Sequence, residues 1–93
     1  MDNLETFLRN EHCGKDRTIR SAELEERYGC TGADIRHRVN ELRSMGVPIC
    51  SWRRGYYYAA SRQDVIDTIY QLESRIRKIK VAEEGLFAFL SKN

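Results

Sequence analysis

The apolar residues of the first half of the chain recur at spacings of three and four, as they do where a helix buries one face. One such group predicts a first helix over about residues 3–12 and consists of Leu4, Phe7 and Leu8. A second group, Leu24 and Tyr28, predicts a short helix that is capped by Ser21. Gly29 is predicted to end that helix in a tight turn, because glycine readily adopts the left-handed backbone conformation.

A third helix is predicted to begin at Thr31, because Asp34 follows three residues later and the two side chains can form a capping box. Its apolar face consists of Ile35, Val39, Leu42 and Gly46. Gly46 and Pro48 are predicted to close this helix, since proline disfavours helix in the residue before it. The opposite face is polar but mostly small or uncharged, which suits a surface that enters a groove. It carries Ala33, His37, Asn40 and Ser44.

Strand-forming residues on both sides of a glycine-containing turn predict a β-hairpin after the third helix. The first run is Ile49–Trp52, the turn is Arg53-Arg54-Gly55 with glycine at the bend, and the second run is the three tyrosines at 56–58. Three consecutive tyrosines cannot all face inward, so at least one is expected at the surface. A β-prone triplet at residues 18–20 completes a predicted order of helix, strand, helix, turn, helix and hairpin.

The last third of the chain predicts a long helix that begins at Ser61 and continues to about residue 84. A seam with alternating spacings of four and three, as in a coiled coil, is formed by Val65, Ile69, Leu72, Ile76 and Ile79. We expect the first half of the helix to dock on its own domain and the second half to bind a partner. Gly85 is predicted to interrupt the helix and leave a short apolar end. The seam spans little more than two heptads, so homodimerisation and docking of another protein both remain open.

Composition limits the class of protein. The chain of 93 residues has room for one small core, and 32% charged residues argue against a membrane span. The first residues lack a basic start followed by an apolar run, which predicts a cytoplasmic protein without a secretory signal. Cys13, Cys30 and Cys50 form no Cys-x-x-Cys pair, which predicts reduced thiols and no metal site. No nucleophile-base pair, phosphate loop or carboxylate dyad can be placed, so we expect neither an enzyme nor a cofactor.

The distribution of charge points to an anionic partner more clearly than the total does. The formal net charge is only +2. Between residues 32 and 62, however, six arginines stand against Asp34 and Glu41. Such a local excess of arginine is typical of surfaces that contact nucleic acid.

Residues 22–58 resemble the winged helix-turn-helix at the N-terminus of bacterial biotin-ligase repressors and in small bacterial and phage regulators. The matching positions are Leu24, Tyr28, Gly29, Thr31, Ile35, Val39, Leu42, Gly46 and the pair Gly55-Tyr56. The resemblance implies a mainly α fold with a small β-hairpin (α+β), with a DNA-binding domain over residues 1–60 and a C-terminal helix over residues 61–93. Glu25 departs from the motif's small alanine, and Gly32 departs from its polar residue. No biotin chemistry is expected, because the ligase domain has no counterpart here.

The resemblance also implies a function, namely sequence-specific binding of double-stranded DNA by a dimeric transcriptional regulator. The third helix would enter the major groove, and the hairpin would form a wing on the backbone or in the minor groove. The residues so implicated are Thr31, Ala33, Arg36, His37, Asn40, Arg43, Arg53 and Arg54. In the alternative, these residues are an ordinary solvated surface, and the chain is a protein-interaction module or replication accessory protein that docks a partner through its C-terminal helix.

Overall fold

Four helices and three short strands make up the structure, a computed structural model that describes residues 1–92. The helices are α1 (Leu4–Glu11), α2 (Ser21–Tyr28), α3 (Gly32–Ser44) and α4 (Arg62–Ser91). The strands are β1 (Ile19–Arg20), β2 (Ile49–Trp52) and β3 (Gly55–Tyr58), and a short 3₁₀ helix (Lys15–Arg17) precedes β1. The protein is therefore mainly α with a small antiparallel sheet, and the order of its elements is the predicted one.

The strand β3 lies in the middle of the sheet, with β2 on one edge and β1 on the other. The predicted two-stranded hairpin therefore gains a third strand, in which Ile19 pairs with Tyr56 and Arg20 with Gly55. The chain after α1 extends the same edge, because the Tyr58 N–H donates to the carbonyl of His12 at 2.7 Å. Both edges of β3 are thus bonded, which fixes the hairpin to the helices.

The main core lies between the sheet and the first three helices. It consists of buried residues that are at most 6% exposed, namely Leu4, Leu8, Ile19, Leu24, Ile35, Val39, Leu42 and Ile49. The apolar positions predicted for α1, α2 and α3 contribute six of these residues. Gly46 was expected on the core face of α3, but it lies beyond the end of the helix with a φ of 87°. Ser21 is the first residue of α2, and no side chain caps that helix.

The other face of the sheet is covered by the first turns of α4. Cys50 and Tyr57 are cross-strand partners that are 1% and 2% exposed. Thr68 is the buried residue of α4, and its Oγ1 accepts a hydrogen bond from the Ser51 N–H at 3.4 Å. The Gln71 side-chain amide donates to the carbonyl of Ser51 at 3.3 Å. The expectation that the first half of this helix docks on its own domain is confirmed.

The helix α4 continues through Gly85 to Ser91, so the prediction that glycine interrupts it is wrong. A glycine in a helix interior costs only about 1 kcal/mol relative to alanine. The neighbouring residues favour helix, so the cost of Gly85 is too small to end α4. The predicted cap at Ser61 is present, because its Oγ accepts a hydrogen bond from the Asp64 N–H at 3.2 Å. Among residues 1–92, no helix is both long enough and apolar enough to cross a membrane.

Gly55 is required by a close approach of two strands, and the expectation that it forms the bend of the hairpin is wrong. The bend consists of Arg53 and Arg54, and Gly55 is the first residue of β3. A Cβ atom at Gly55 would overlap the carbonyl oxygen of Ile19 and lie 2.8 Å from the Thr18 methyl group. Glycine therefore allows β1 to pair with β3.

Replacing Gly55 with alanine should destabilise the protein by about 3 kcal/mol, since the added methyl group must push β1 away from β3. Gly85→Ala is the matched control, because nothing lies within 4 Å of a Cβ at that position. It should instead stabilise α4 by about 1 kcal/mol. Urea unfolding of both variants measures the difference, and equal stability of Gly55→Ala and wild type would contradict the packing described for β1.

The protein should lose stability at alkaline pH through Tyr57. Burial raises the pKa of the Tyr57 hydroxyl above its usual value of about 10. Because this pKa is higher in the folded state than in the unfolded state, the contribution of Tyr57 to the free energy of unfolding is fully present below about pH 10. Above about pH 10 it falls by about 1.4 kcal/mol per pH unit. Tyr57→Phe should reduce this slope in urea unfolding between pH 9 and 11, measured at about half-unit steps. Tyr70→Phe, at a position that is 64% exposed, should leave the slope as it is in wild type.

Candidate nucleic-acid interface

The capping box at the start of α3 is present as predicted. The Thr31 Oγ1 accepts a hydrogen bond from the Asp34 N–H at 3.1 Å, and the Asp34 Oδ2 accepts one from the Thr31 N–H at 3.0 Å. The Thr31 backbone N–H, together with the Thr31 hydroxyl, holds the pKa of the Asp34 carboxyl below its usual value. These reciprocal bonds set the direction in which the first turn of α3 leaves the core.

The solvent-facing side of α3 carries the residues that were predicted to meet DNA bases. Ala33, Arg36, His37 and Asn40 are all exposed, whereas Ile35 and Val39 on the opposite side are buried. Thr31 is exposed at the start of the same helix. The structure therefore brings five of the eight predicted DNA-binding residues onto one helix face or its first turn.

The turn between β2 and β3, Arg53-Arg54, which we call the wing turn or wing, has an unusual backbone. Arg53 and Arg54 have φ angles of 47° and 62°. Positive φ at both central residues is the signature of a type I′ hairpin turn, in which Asn-Gly is the favoured pair. Each non-glycine residue in this region costs roughly 1–2 kcal/mol. The turn therefore stores backbone strain at both arginines.

The wing turn is also anchored from two sides. The Ser21 N–H at the start of α2 donates to the carbonyl of Arg54 at 3.0 Å. The Trp52 ring lies 3.6 Å from the Lys15 ammonium and 5.2 Å from the Arg53 guanidinium, so it holds both cations near the base of the turn. These contacts keep the wing at a set distance from α2 and hence from α3.

A cleft of about 650 Å³ separates the N-terminal end of α3 from the wing. Four arginines from three parts of the chain line it: Arg36 from α3, Arg53 and Arg54 from the turn, and Arg75 from α4. We call this the arginine cleft. No Asp or Glu is among its lining residues in the part of the chain that the structure describes. Planar guanidinium groups without a neighbouring carboxylate are well suited to bind phosphate oxygens.

Arg75 and Gln71 were not anticipated as part of this site, because the sequence pattern of α4 indicated only partner binding. A signal for them does exist. Thr68, Gln71 and Arg75 are spaced by three and four residues, so they share one polar face of α4 beside its apolar seam. Because Thr68 is buried against β2, Gln71 and Arg75 follow the same face toward the wing.

Arg43 is not among the residues that line the arginine cleft. Its Nε donates to the carbonyl of Ile49 at 2.8 Å, and its Nη2 donates to the Ser51 Oγ at 2.7 Å. Burial lowers the pKa of the Arg43 guanidinium. Arg43 therefore links α3 to β2, and its predicted role as a DNA contact stays a prediction. Arg38 also has a protein partner, since its guanidinium lies 3.5 Å from the Glu41 carboxylate.

Glu25 and Gly32, the two departures from the winged-helix pattern, lie next to each other. The Glu25 carboxylate accepts a hydrogen bond from the Ser21 hydroxyl at 3.4 Å and reaches toward the start of α3. A Cβ atom at Gly32 would lie 3.4 Å from the Glu25 Oε2. The small residue at the start of α3 thus leaves room for the large one on α2, so the two departures compensate.

Comparison with known proteins found no family model, no curated protein and no solved structure that matches this chain. The site is therefore interpreted from its own geometry. Within residues 1–92, no three His, Cys, Asp or Glu side chains are placed to hold a metal ion. Cys13, Cys30 and Cys50 are free thiols.

Replacing Arg43 with alanine should lower the free energy of unfolding by about 1–3 kcal/mol, because the half-buried guanidinium makes two hydrogen bonds to β2. Arg36→Ala serves as the control, since this exposed side chain lies on the same helix. It should change stability by no more than about 0.5 kcal/mol. Urea unfolding of the two variants tests the assignment, which would be wrong if Arg43→Ala were as stable as wild type.

Proposed function

We propose that this chain binds double-stranded DNA as a winged helix-turn-helix, with α3 in the major groove and the turn between β2 and β3 as the wing. The observation that carries the proposal is the arginine cleft, which sets the wing arginines beside the exposed face of α3. A transcriptional regulator of the kind found in small bacterial and phage systems is the function that fits this surface.

Phosphate contacts are assigned to the wing and the cleft. Arg53 and Arg54 are exposed at the tip of a rigid hairpin, where they can pair with backbone phosphates or enter a narrow minor groove. Arg75 adds a cation from α4 to the lining of the cleft. Such contacts give affinity and register but carry no sequence information.

Base contacts are assigned to α3. Arg36 can form two hydrogen bonds to a guanine edge, and Asn40 can do the same with adenine. Ala33 and His37 lie on the same exposed face, and the small alanine lets the helix backbone approach the bases closely. Because this face carries few charged groups, it is better suited to reading the base sequence than to general attraction to the phosphates.

The wing can be tested by a substitution that improves the fold while removing the charges. Arg53→Asn/Arg54→Gly supplies the residues that a type I′ turn favours, so it should raise the free energy of unfolding by about 1–2 kcal/mol. The same variant should bind duplex DNA at least about tenfold more weakly and with a flatter salt dependence. Fluorescence anisotropy at several salt concentrations measures the affinity and its salt dependence, and urea unfolding measures the stability. A loss of binding in a more stable protein cannot be caused by unfolding.

The control must remove equal charge elsewhere. Arg9→Ala/Arg62→Ala removes two exposed arginines that do not line the cleft, and it should retain most of the affinity. Arg36→Ala should relax base preference by about 1–3 kcal/mol in selection of duplexes from a random library. Undiminished binding by Arg53→Asn/Arg54→Gly, or equal loss in the control, would contradict the site. No affinity for duplex DNA at low salt would favour a protein-interaction module.

A further inference from the structure

The surface of α4 carries nearly all of the large apolar side chains that the fold leaves in water. Apart from Met45, the exposed large hydrophobics of residues 1–92 lie on this helix, and they are Ile69, Tyr70, Ile76, Ile79, Val81, Leu86, Phe87, Phe89 and Leu90. A monomer rarely exposes a continuous apolar surface of this length. The unbroken course of α4 through Gly85 makes this surface longer than the sequence pattern indicated.

Continuity of the helix extends the predicted seam to four heptads. The residues that now lie on one stripe, with alternating spacings of four and three, are Val65, Ile69, Leu72, Ile76, Ile79, Glu83, Leu86 and Leu90. At a rise of 1.5 Å per residue, this stripe is about 38 Å long. Seven of its eight positions are apolar, and a seam of this length is sufficient for a coiled coil.

We propose that a second copy of this chain covers the seam, with the two α4 helices antiparallel. The polar member of the seam supports this direction. In a parallel pair, Glu83 would face the partner's Glu83, and two carboxylates would share one layer of the interface. In an antiparallel pair centred between residues 77 and 78, Glu83 instead lies opposite the partner's Leu72, and the repulsion is removed.

The same register matches the apolar residues along the whole seam. Ile76 lies opposite the partner's Ile79, and Ile69 lies opposite the partner's Leu86. Val65 then meets the partner's Leu90 at the end of the stripe. Because the arrangement is two-fold symmetric, each of these contacts is made twice.

Charges beside the seam favour the antiparallel direction as well. In this register Glu73 flanks the partner's Lys80, so two attractive pairs form, one on each side of the two-fold axis. A parallel pair would instead place Lys80 beside the partner's Arg75, which has the same sign. Complementary charges and complementary apolar contacts therefore select the same arrangement.

A groove on the domain supplies a place for the partner's helix end. It has a volume of about 300 Å³ and lies between α4 and the segment that joins α3 to β2. Val65, Ile69 and Leu72 line this groove together with Val47 and Pro48. The first three of these residues also belong to the seam. In the antiparallel register, Leu86 and Leu90 of the partner subunit reach this position, so each C-terminal helix end fills a groove on the other subunit.

The pairing sets the distance between the two domains. Each domain docks on α4 at Thr68, which would lie at the same height along the helix axis as the partner's Phe87. The two docking points would then be about 30 Å apart along the helix axis. The dimer itself does not depend on DNA binding and is tested without it.

Sedimentation equilibrium of the full chain in the absence of DNA should show a dimer, and Ile76→Glu should weaken dimerisation by at least about a hundredfold. Val81→Glu is the matched control. Its side chain is 67% exposed, compared with 63% for Ile76, but it lies about 140° around the helix. It should leave the dimer intact. Circular dichroism checks that both variants keep their helix content.

The direction of the helices is tested by charge reversal. Lys80→Glu should weaken the antiparallel dimer about tenfold, because it creates two like-charge pairs with the partner's Glu73. Glu73→Lys/Lys80→Glu should restore wild-type association. In a parallel dimer, Lys80→Glu would strengthen association through the partner's Arg75. A monomeric wild type at about 100 µM, an unaffected Ile76→Glu, or a strengthened Lys80→Glu would each overturn the proposal.

Discussion

The close approach of β1 to β3 at Gly55 sets the position of the wing turn relative to α2. Because no side chain intervenes, Arg20 pairs with Gly55 and brings the start of α2 against the wing. The backbone bond from Ser21 to Arg54 follows directly from this pairing. The wing turn is therefore held by backbone hydrogen bonds to the segment that begins α2. Because α2 packs on α3, the wing turn and α3 keep one relative position.

The backbone strain in the wing turn is tolerated because the strands on either side of it are hydrogen-bonded. Arg53 and Arg54 occupy an unfavourable backbone region, but the strands on both sides of them are paired. The Trp52 ring further restrains the cations near the turn. Such strain persists only where the surroundings over-determine the conformation. With the Arg53 guanidinium held near the Trp52 ring, the turn would lose less entropy on binding DNA as proposed than a free loop would.

Two neighbouring faces of α4 contribute to two different surfaces of the protein. Its polar face, with Thr68, Gln71 and Arg75, lies against β2 and contributes a cation to the arginine cleft. Its apolar face lies beside this one and forms the proposed dimer seam. Both faces belong to one continuous helix, so the proposed dimer seam and Arg75 lie on the same element.

Most of the helices and their core residues could be predicted because they depend on neighbours within one or two turns. Apolar periodicity identified the buried faces of α1, α2 and α3, and the box of Thr31 and Asp34 identified where α3 begins. The contacts that shape the site join distant parts of the chain. Arg43 turns toward β2, Arg75 reaches the wing, and Gly55 admits β1. Spacing within one helix can show which residues share a face, as it does for Arg75, but it cannot show which distant element that face meets, because such contacts arise only when separate elements pack together.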